Sequence, residues 1–362
     1  MLKKLKRFTR HVIAGANAAT IIIMVLVAYS DRLYPDQHPY MACLGLLFPV
    51  FLVINLLFLI FWTIFHKRCL WIPLLGYILC FGQLQTYLPL NIGREEVPKG
   101  ALKVISYNVQ GFQEQDKNGI EYPYTSLDYL TESEADIICT QEAQAQSWFQ
   151  RDKTDKRIDK SFKHHDHISM PQGNRIAIYT RFPILKKERI MYASKNNASV
   201  AFHLNIDGDT VIVINNHFEN CHLDTVDRRK YDTMLKGEME RGKMKGESRR
   251  LLRRLAESAR VRCAQVDSVT AYIRKHHGKS IILCGDFNDS PISYTHREIG
   301  KQLTDCYKET GIWAGLSYNK REFPVRIDYI FCSDDLQPYQ CHIDKDIKTS
   351  DHYPIVCWVR KR

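Results

Sequence analysis

Apolar positions follow two regimes along this chain, which divide near Gly93. Before it, three runs carry no charged residue: 12–29 (VIAGANAATIIIMVLVAY), 40–65 (YMACLGLLFPVFLVINLLFLIFWTIF) and 69–90 (CLWIPLLGYILCFGQLQTYLPL). Coiled as helices, each is long enough to cross a hydrocarbon layer of roughly 30 Å. The opening KKLKRFTR with the first run also resembles a signal peptide, but two more runs follow directly. That favours a three-span membrane anchor over residues 1–93. After Gly93 no such run recurs. Short apolar stretches of strand length are interleaved with helix-like stretches such as SLDYLTESEA, the pattern of a mixed α/β domain over residues 94–362.

Charge gives the anchor a direction. Lys3, Lys4, Lys6, Arg7 and Arg10 precede the first run, and Lys67 and Arg68 separate the second from the third. The loop SDRLYPDQHP between the first two holds one Arg against two Asp. Basic flanks stay cytoplasmic, so three crossings predict a multi-pass protein of the bacterial cytoplasmic (inner) membrane with its large domain on the periplasmic side. Cleavage after the first run would leave the same orientation.

The net charge of +11 is concentrated in the segment 228–262, from Arg228 to Arg262. Its second half sets Leu251, Leu252, Leu255, Ala259, Val266 and Val269 at three- and four-residue steps, surrounded by Arg249, Arg250, Arg253 and Arg254. This is an amphipathic helix whose basic side either faces water or contacts polyanions or anionic headgroups. The first half, with Gly237, Gly242 and Gly246, reads as a mobile loop. Eleven cysteines include no C-x-x-C pair and no zinc-type spacing. Cys139, Cys284 and Cys357 sit in strand-like runs as buried thiols, while disulfides among Cys221, Cys306 and Cys341 stay open.

Chemistry gathers where the strands end. LKVISYN ends at Asn108, ADIICTQE at Glu142, TVIVINNH at His217, and IILCGDFND at Asp286 and Asn288; VRIDYIF holds Asp328, and TSDHYPIVCWV holds Asp351 and His352. Singly, each suits a turn or a cap. Together they form a kit for attack of water on a phosphoester. Carboxylate and amide oxygens of Glu142, Asp351 and Asn108 suit a hard cation such as Mg²⁺. His352 and His217 can act as acid, base or donor, with Asp328 orienting one imidazole, and Asp286 with Asn288 can hold water and phosphate.

The ordered motifs SYNVQGF, TQEAQ, INNHFEN, CGDFNDSP, RIDYIF and SDHYPI resemble those of the endonuclease/exonuclease/phosphatase superfamily. That group includes deoxyribonuclease-I-like nucleases, abasic-site endonucleases, neutral sphingomyelinases and inositol-polyphosphate phosphatases. The resemblance implies a four-layer α/β sandwich, two packed β-sheets flanked by helices, here preceded by three transmembrane helices. It also implies a Mg²⁺ or Mn²⁺ site at one end of the sandwich. It makes Glu142 the principal metal ligand, with Asn108 and Asp351 close by. It pairs His352, the general base, with Asp328, gives water positioning and transition-state stabilisation to Asp286 and Asn288, and makes His217 a phosphate donor or acid. Whether Asp286 or His352 takes the proton stays open, and Arg175 of GNRIAI fits a phosphate contact only loosely. Histidine at 217 favours the nuclease and phosphodiesterase branches.

The expected function is therefore a membrane-anchored, metal-dependent phosphodiesterase acting on nucleic acid. The alternatives are a sphingomyelinase-like action on phospholipid or hydrolysis of phosphomonoesters. Every site position holds a chemically competent residue, which argues against a non-enzymatic membrane scaffold.

Overall fold

The computed structural model of the protein describes residues 2–93, 95–115, 118–144, 148–221, 225–320 and 323–362; Arg94, where the large domain was expected to begin, lies outside them. The short apolar stretches form strands β1 (Leu102–Asn108), β2 (Ile137–Gln141), β3 (His164–Ser169), β4 (Arg175–Thr180), β5 (Ile184–Ile190) and β6 (Ala198–Ile206). They continue with β7 (Asp209–His217), β8 (Ser280–Asp286), β9 (Thr304–Asp305), β10 (Asp328–Cys332), β11 (Leu336–Ile343) and β12 (Ile355–Lys361). One sheet has the order β11-β12-β1-β2-β4-β3, the other β5-β6-β7-β8-β10-β9.

The central strands are apolar on both sides because both of their faces are covered. Val104, Cys139, Ile178, Val213, Cys284, Ile330 and Cys357 meet between the sheets. On one outer face Ile105, Tyr107 and Ile138 pack against Leu127, Leu130 and Ile158 of helices Ser126–Glu132 and Trp148–Ser161. On the other, Ile212, Ile214 and Leu283 pack against Val266, Val269 and Ile273 of the long helix Arg241–Lys275. Helices, sheet, sheet and helices make the expected four-layer α/β sandwich. No disulfide joins the described cysteines, and Cys306 and Cys341 are buried in the middle layer.

Strand direction gathers the polar strand ends on one rim. The central pairs β1–β2 and β7–β8 are parallel, so they deliver their C-terminal ends together: Asn108 lies beside Gln141, and His217 beside Asp286. Strands β10 and β12 run antiparallel to β8 and β1, so their starts reach the same rim, with Asp328 beside Asp286.

The N-terminal helices depart in part from three straight spans. Helix Leu2–Ala28 runs into a 3-10 turn at Tyr29–Arg32, and the second apolar stretch extends over Pro39–Phe65; both are long and apolar enough to cross a membrane. The third run breaks at Cys80, where φ −107° and ψ 19° leave the helical region, and Phe81–Tyr87 is bent by 68° from the helix before it. It is a third candidate span only as a bent pair. The bundle is fastened by a buried polar chain: Trp62 donates to Asn17 Oδ1, Asn17 to Asn55, and Asn55 to the Pro73 carbonyl. Such bonds substitute for hydrophobic attraction where the surroundings are apolar.

The basic segment also differs from expectation. Its first half is helical rather than a loop, with helix Thr225–Leu235 followed by Arg241–Lys275, which contains Gly242 and Gly246. Arg250 and Arg254 both pair with Asp227, and Lys230 pairs with Glu247. These pairs fasten the two helices together, so packing outweighs the helix-weakening effect of the glycines.

Candidate active site

Asp286, at the end of β8, is the hub of the rim. Its Oδ1 accepts the backbone N–H of Asn288 at 2.8 Å, and its Oδ2 accepts the amide of Asn108 at 3.1 Å. The Nε2 atoms of His217 and His352 both stand 3.7 Å from Oδ2. Asn108 donates also to Glu142 Oε1 at 3.2 Å, and that oxygen is 3.7 Å from His217 Nε2. Five of the eight sequence-predicted residues (Asn108, Glu142, His217, Asp286 and His352) therefore converge on one point.

The other three surround it. Asp328 Oδ2 receives His352 Nδ1 at 2.9 Å. Asn288 donates its side-chain amide to the Phe218 carbonyl at 3.0 Å, which ties the β8 loop to the strand end carrying His217. Asp351 is held through its backbone: its N–H donates to Gln110 Oε1 and its carbonyl accepts from Asn319. Arg175, at the start of β4, reaches Asp155 at 3.2 Å.

The backbone is held under tension here. Gln110, Glu142 and Asn288 adopt φ of 46°, 51° and 52°, a left-handed conformation that costs a non-glycine residue about 1 kcal/mol or more. Each turns a strand end sharply enough to aim its side chain across the rim.

The two histidines are set in opposite tautomers. His352 Nδ1 faces a carboxylate and must carry the proton there, so the neutral ring presents Nε2 as an acceptor. His217 Nδ1 faces the side-chain amide of Asn174 at 2.9 Å. The same nitrogen of Asn174 donates to the Asn196 carbonyl at 3.0 Å, which fixes it as the NH₂ end. His217 Nδ1 therefore accepts, and the neutral ring carries its proton on Nε2, aimed at Glu142 and Asp286. Burial, with the charge of His352, pushes the His217 pKa down against the opposing pull of Asp286. For His352, burial works downward, but Asp328 and Asp286 outweigh it and raise its pKa to about 10. At neutral pH the ring therefore holds both protons, and Nε2 becomes an acceptor only when that second proton leaves. Burial and the Asp328 charge push the Asp286 carboxyl up against the two imidazoles and the Asn108 bond.

The carboxylates of Glu142 and Asp286 suit a hard divalent cation, while Asn108 turns its NH₂ to both of them and its Oδ1 accepts the Gln110 N–H. His217 Nε2 is buried and, among the described residues, has no hydrogen-bond partner, so a donor is left over for a bound oxyanion. Among the described residues Asp286, Asp328 and His352 bring ligating atoms within 4.8 Å of one another, a group that does not contain the expected ligands Glu142, Asn108 and Asp351.

Several positioning residues carried no signal of their own. Asn174 stands next to Arg175 in GNRIAI. Ser350 donates to the Asn108 carbonyl at 2.7 Å, and Ser317 Oγ accepts the backbone N–H groups of Ile327 and Asp328. Arg262, buried in the long helix, donates to Asp289 at 3.1 Å and to the Glu219 carbonyl at 2.9 Å, which joins the loops after β8 and β7. Asn215 spans the two sheets beneath the site, accepting from Gln141 and donating to the Thr140 and Ala177 carbonyls.

Comparison with known proteins places this architecture. Residues 105–352 match the sequence profile of the Endonuclease/Exonuclease/phosphatase family, and residues 10–87 match a domain of unknown function. Among curated proteins none matches the chain. An endonuclease/exonuclease/phosphatase from Bacteroides vulgatus superposes with a TM-score of 0.50 at 15% identity, covering 73% of this chain and all (100%) of its own. A sphingomyelinase C from Streptomyces griseocarneus gives 0.47 at 13%, covering 72% and 99%. A mannosyl-6-phosphatase from Bacteroides thetaiotaomicron gives 0.47 at 18%, again covering 72% and 99%. At 15% identity the first of these likenesses speaks to the fold alone.

Proposed function

Because the chain belongs to the endonuclease/exonuclease/phosphatase family, a family of phosphoester hydrolases, we propose that it is a membrane-anchored, divalent-metal-dependent phosphodiesterase. Residues 1–93 are its anchor and residues 94–362 its catalytic domain, on the outer side of the bacterial cytoplasmic membrane. The observation that carries this reading is the pair of oppositely tautomeric histidines flanking Asp286. His217, held neutral, offers an Nε2–H to stabilise a phosphoryl oxygen, and His352 offers Nε2 to take a proton from water once its own second proton has left.

His352, oriented by Asp328, is the general base. Asp286 and Asn288 hold the attacking water and the phosphate. His217, oriented by Asn174, donates to a phosphoryl oxygen or to the leaving oxygen. Glu142 and Asn108, with Asp351 beside His352, hold the cation, Mg²⁺ or Mn²⁺. When bound, that ion supplies charge against the developing negative oxygens.

Nucleic acid is the first substrate reading, supported by the net charge of +11 and the exposed Arg249 and Arg253 of the long helix. The internal pairing of Arg250, Arg254 and Lys230 reduces that support. A phospholipid headgroup is the second, favoured by the packing of the loop after Asn288 on the membrane helices, where Ile292 is buried. The test incubates the full chain in nanodiscs with supercoiled DNA and, separately, with phospholipid and sphingomyelin vesicles, with Mg²⁺ or with chelator. Metal-dependent nicking that weakens as salt rises supports the nuclease reading. Headgroup release without nicking moves the substrate to lipid, and turnover of neither rejects both.

A further inference from the structure

Two segments that carry catalytic groups run from the site onto the membrane helices. The first follows Asn288. Ile292 lies in the same apolar cluster as Met24, Val27, Phe48, Leu52 and Tyr87 of the anchor. Gly45, in the 3-10 turn Cys43–Leu47 near the start of the second apolar span, stands so close that a Cβ there would overlap the Ile292 carbonyl oxygen. No other residue type fits without moving the loop.

The second segment precedes Asp328. Arg326 is 1% exposed, and a buried cation is costly unless its donors are satisfied. Its guanidinium donates to the Thr86 carbonyl at 2.6 Å and to the Ala314 carbonyl at 2.9 Å, and it lies 4.4 Å from the Tyr307 ring centroid. Thr86 belongs to the last turn of Phe81–Tyr87, where carbonyls lack intrahelical partners. The anchor thus supplies one of the two acceptors for a charge two residues from Asp328.

The two segments are also tied to each other. Tyr329 Oη is within bonding distance of the Asp289 carbonyl at 2.9 Å and the Arg326 carbonyl at 2.8 Å. Polar contacts extend the seat: Tyr34 donates to Asp267, Arg260 reaches Asp36, and Asn91 donates to the Lys308 and Gly311 carbonyls. A simple tether would make few such contacts.

We propose that the membrane anchor is a working part of the catalytic end, with Arg326 as the positioning residue that couples its third segment to Asp328 and so to His352. The Gly45–Ile292 seat does the same for the Asp286–Asn288 loop. The proposal rests on the phosphodiesterase reading, and its test includes a readout that does not.

The full chain in nanodiscs is compared with Gly45→Leu, Arg326→Met and Arg326→Lys. Ile64→Ala, on an exposed side chain near the far end of the second span, is the control. Turnover of bis(p-nitrophenyl) phosphate with Mn²⁺ gives kcat and KM, and amide hydrogen exchange reports residues 286–292 and 326–330 directly. Gly45→Leu and Arg326→Met are expected to lower kcat by about tenfold or more, with KM changed by less than about twofold, since small misplacements act on the chemical step. Exchange should quicken in those two segments while β1 and β7 stay protected, Arg326→Lys should recover part of kcat, and Ile64→Ala should match the parent. If Gly45→Leu does not fold, Ile292→Ala loosens the same seat by removing that side chain from the anchor cluster, without overlap. Unchanged kcat and exchange in a folded variant would overturn the proposal, as would exchange raised uniformly over the sandwich. If the parent hydrolyses nothing, the functional reading fails while the exchange pattern still decides the coupling.

Discussion

A histidine is a base or a donor according to what holds its other nitrogen, and this site contains both cases. Asp328 behind His352 and Asn174 behind His217 give two chemically identical rings opposite polarity toward Asp286. Asn174→Leu is close in volume but offers no donor, so nothing holds the proton of His217 on Nε2. The expected outcome is a kcat lower by up to about a hundredfold, the scale of losing one oxyanion donor, with KM little changed and a melting temperature lowered by the lost bond to the Asn196 carbonyl. A change confined to KM would contradict the assigned role. The eight motif residues could be singled out in the sequence because each lies at a strand end or within a few residues of one. Asn174 was not legible: a buried amide that orients a ring 43 positions away leaves no periodic trace.

At the scale of elements, parallel central strands and antiparallel neighbours bring four strand ends and two strand starts to one rim. Close strand approach is part of the design. Gly285 has φ +137°, and a Cβ there would overlap the Asn216 carbonyl of the neighbouring strand. Gly278 also has positive φ, +82°, but opens onto free space. Gly278→Ala should therefore cost only its conformational strain, about 1 kcal/mol, whereas Gly285→Ala adds a backbone collision and should lower the melting temperature much further. Equal melting temperatures would remove the close-approach argument. Strands and layers were readable from apolar runs flanked by turn residues. The amphipathic helix through Leu251 to Val269 was readable too. The helical form of the basic segment's first half, in Thr225–Leu235 and the start of Arg241–Lys275, was not, because Gly242 and Gly246 imitate a loop while Asp227, gripped by Arg250 and Arg254, holds the pair. The break at Cys80 was equally hidden, since composition reports apolarity and not the direction of a helix.

For the whole molecule, the length and apolarity of the first two N-terminal helices were legible, and the seat of this N-terminal part on the sandwich was not. Contacts such as Gly45 with Ile292 and Thr86 with Arg326 join positions more than 200 residues apart. If the basic flanks lie inside, a C-terminal alkaline phosphatase fusion in a bacterial host should be active and a C-terminal green fluorescent protein fusion dark; the reverse would place the catalytic domain in the cytoplasm. The central claim is metal-dependent phosphodiester hydrolysis at the Asp286 rim. Its most direct test is the turnover of bis(p-nitrophenyl) phosphate by the full chain as Mg²⁺ or Mn²⁺ is titrated, beside His352→Gln and Glu142→Ala. The account predicts saturable metal activation abolished by chelator. It also predicts a fall of about a hundredfold or more in kcat for His352→Gln and a higher metal requirement for Glu142→Ala. Turnover that ignores both the metal and the two substitutions would contradict it.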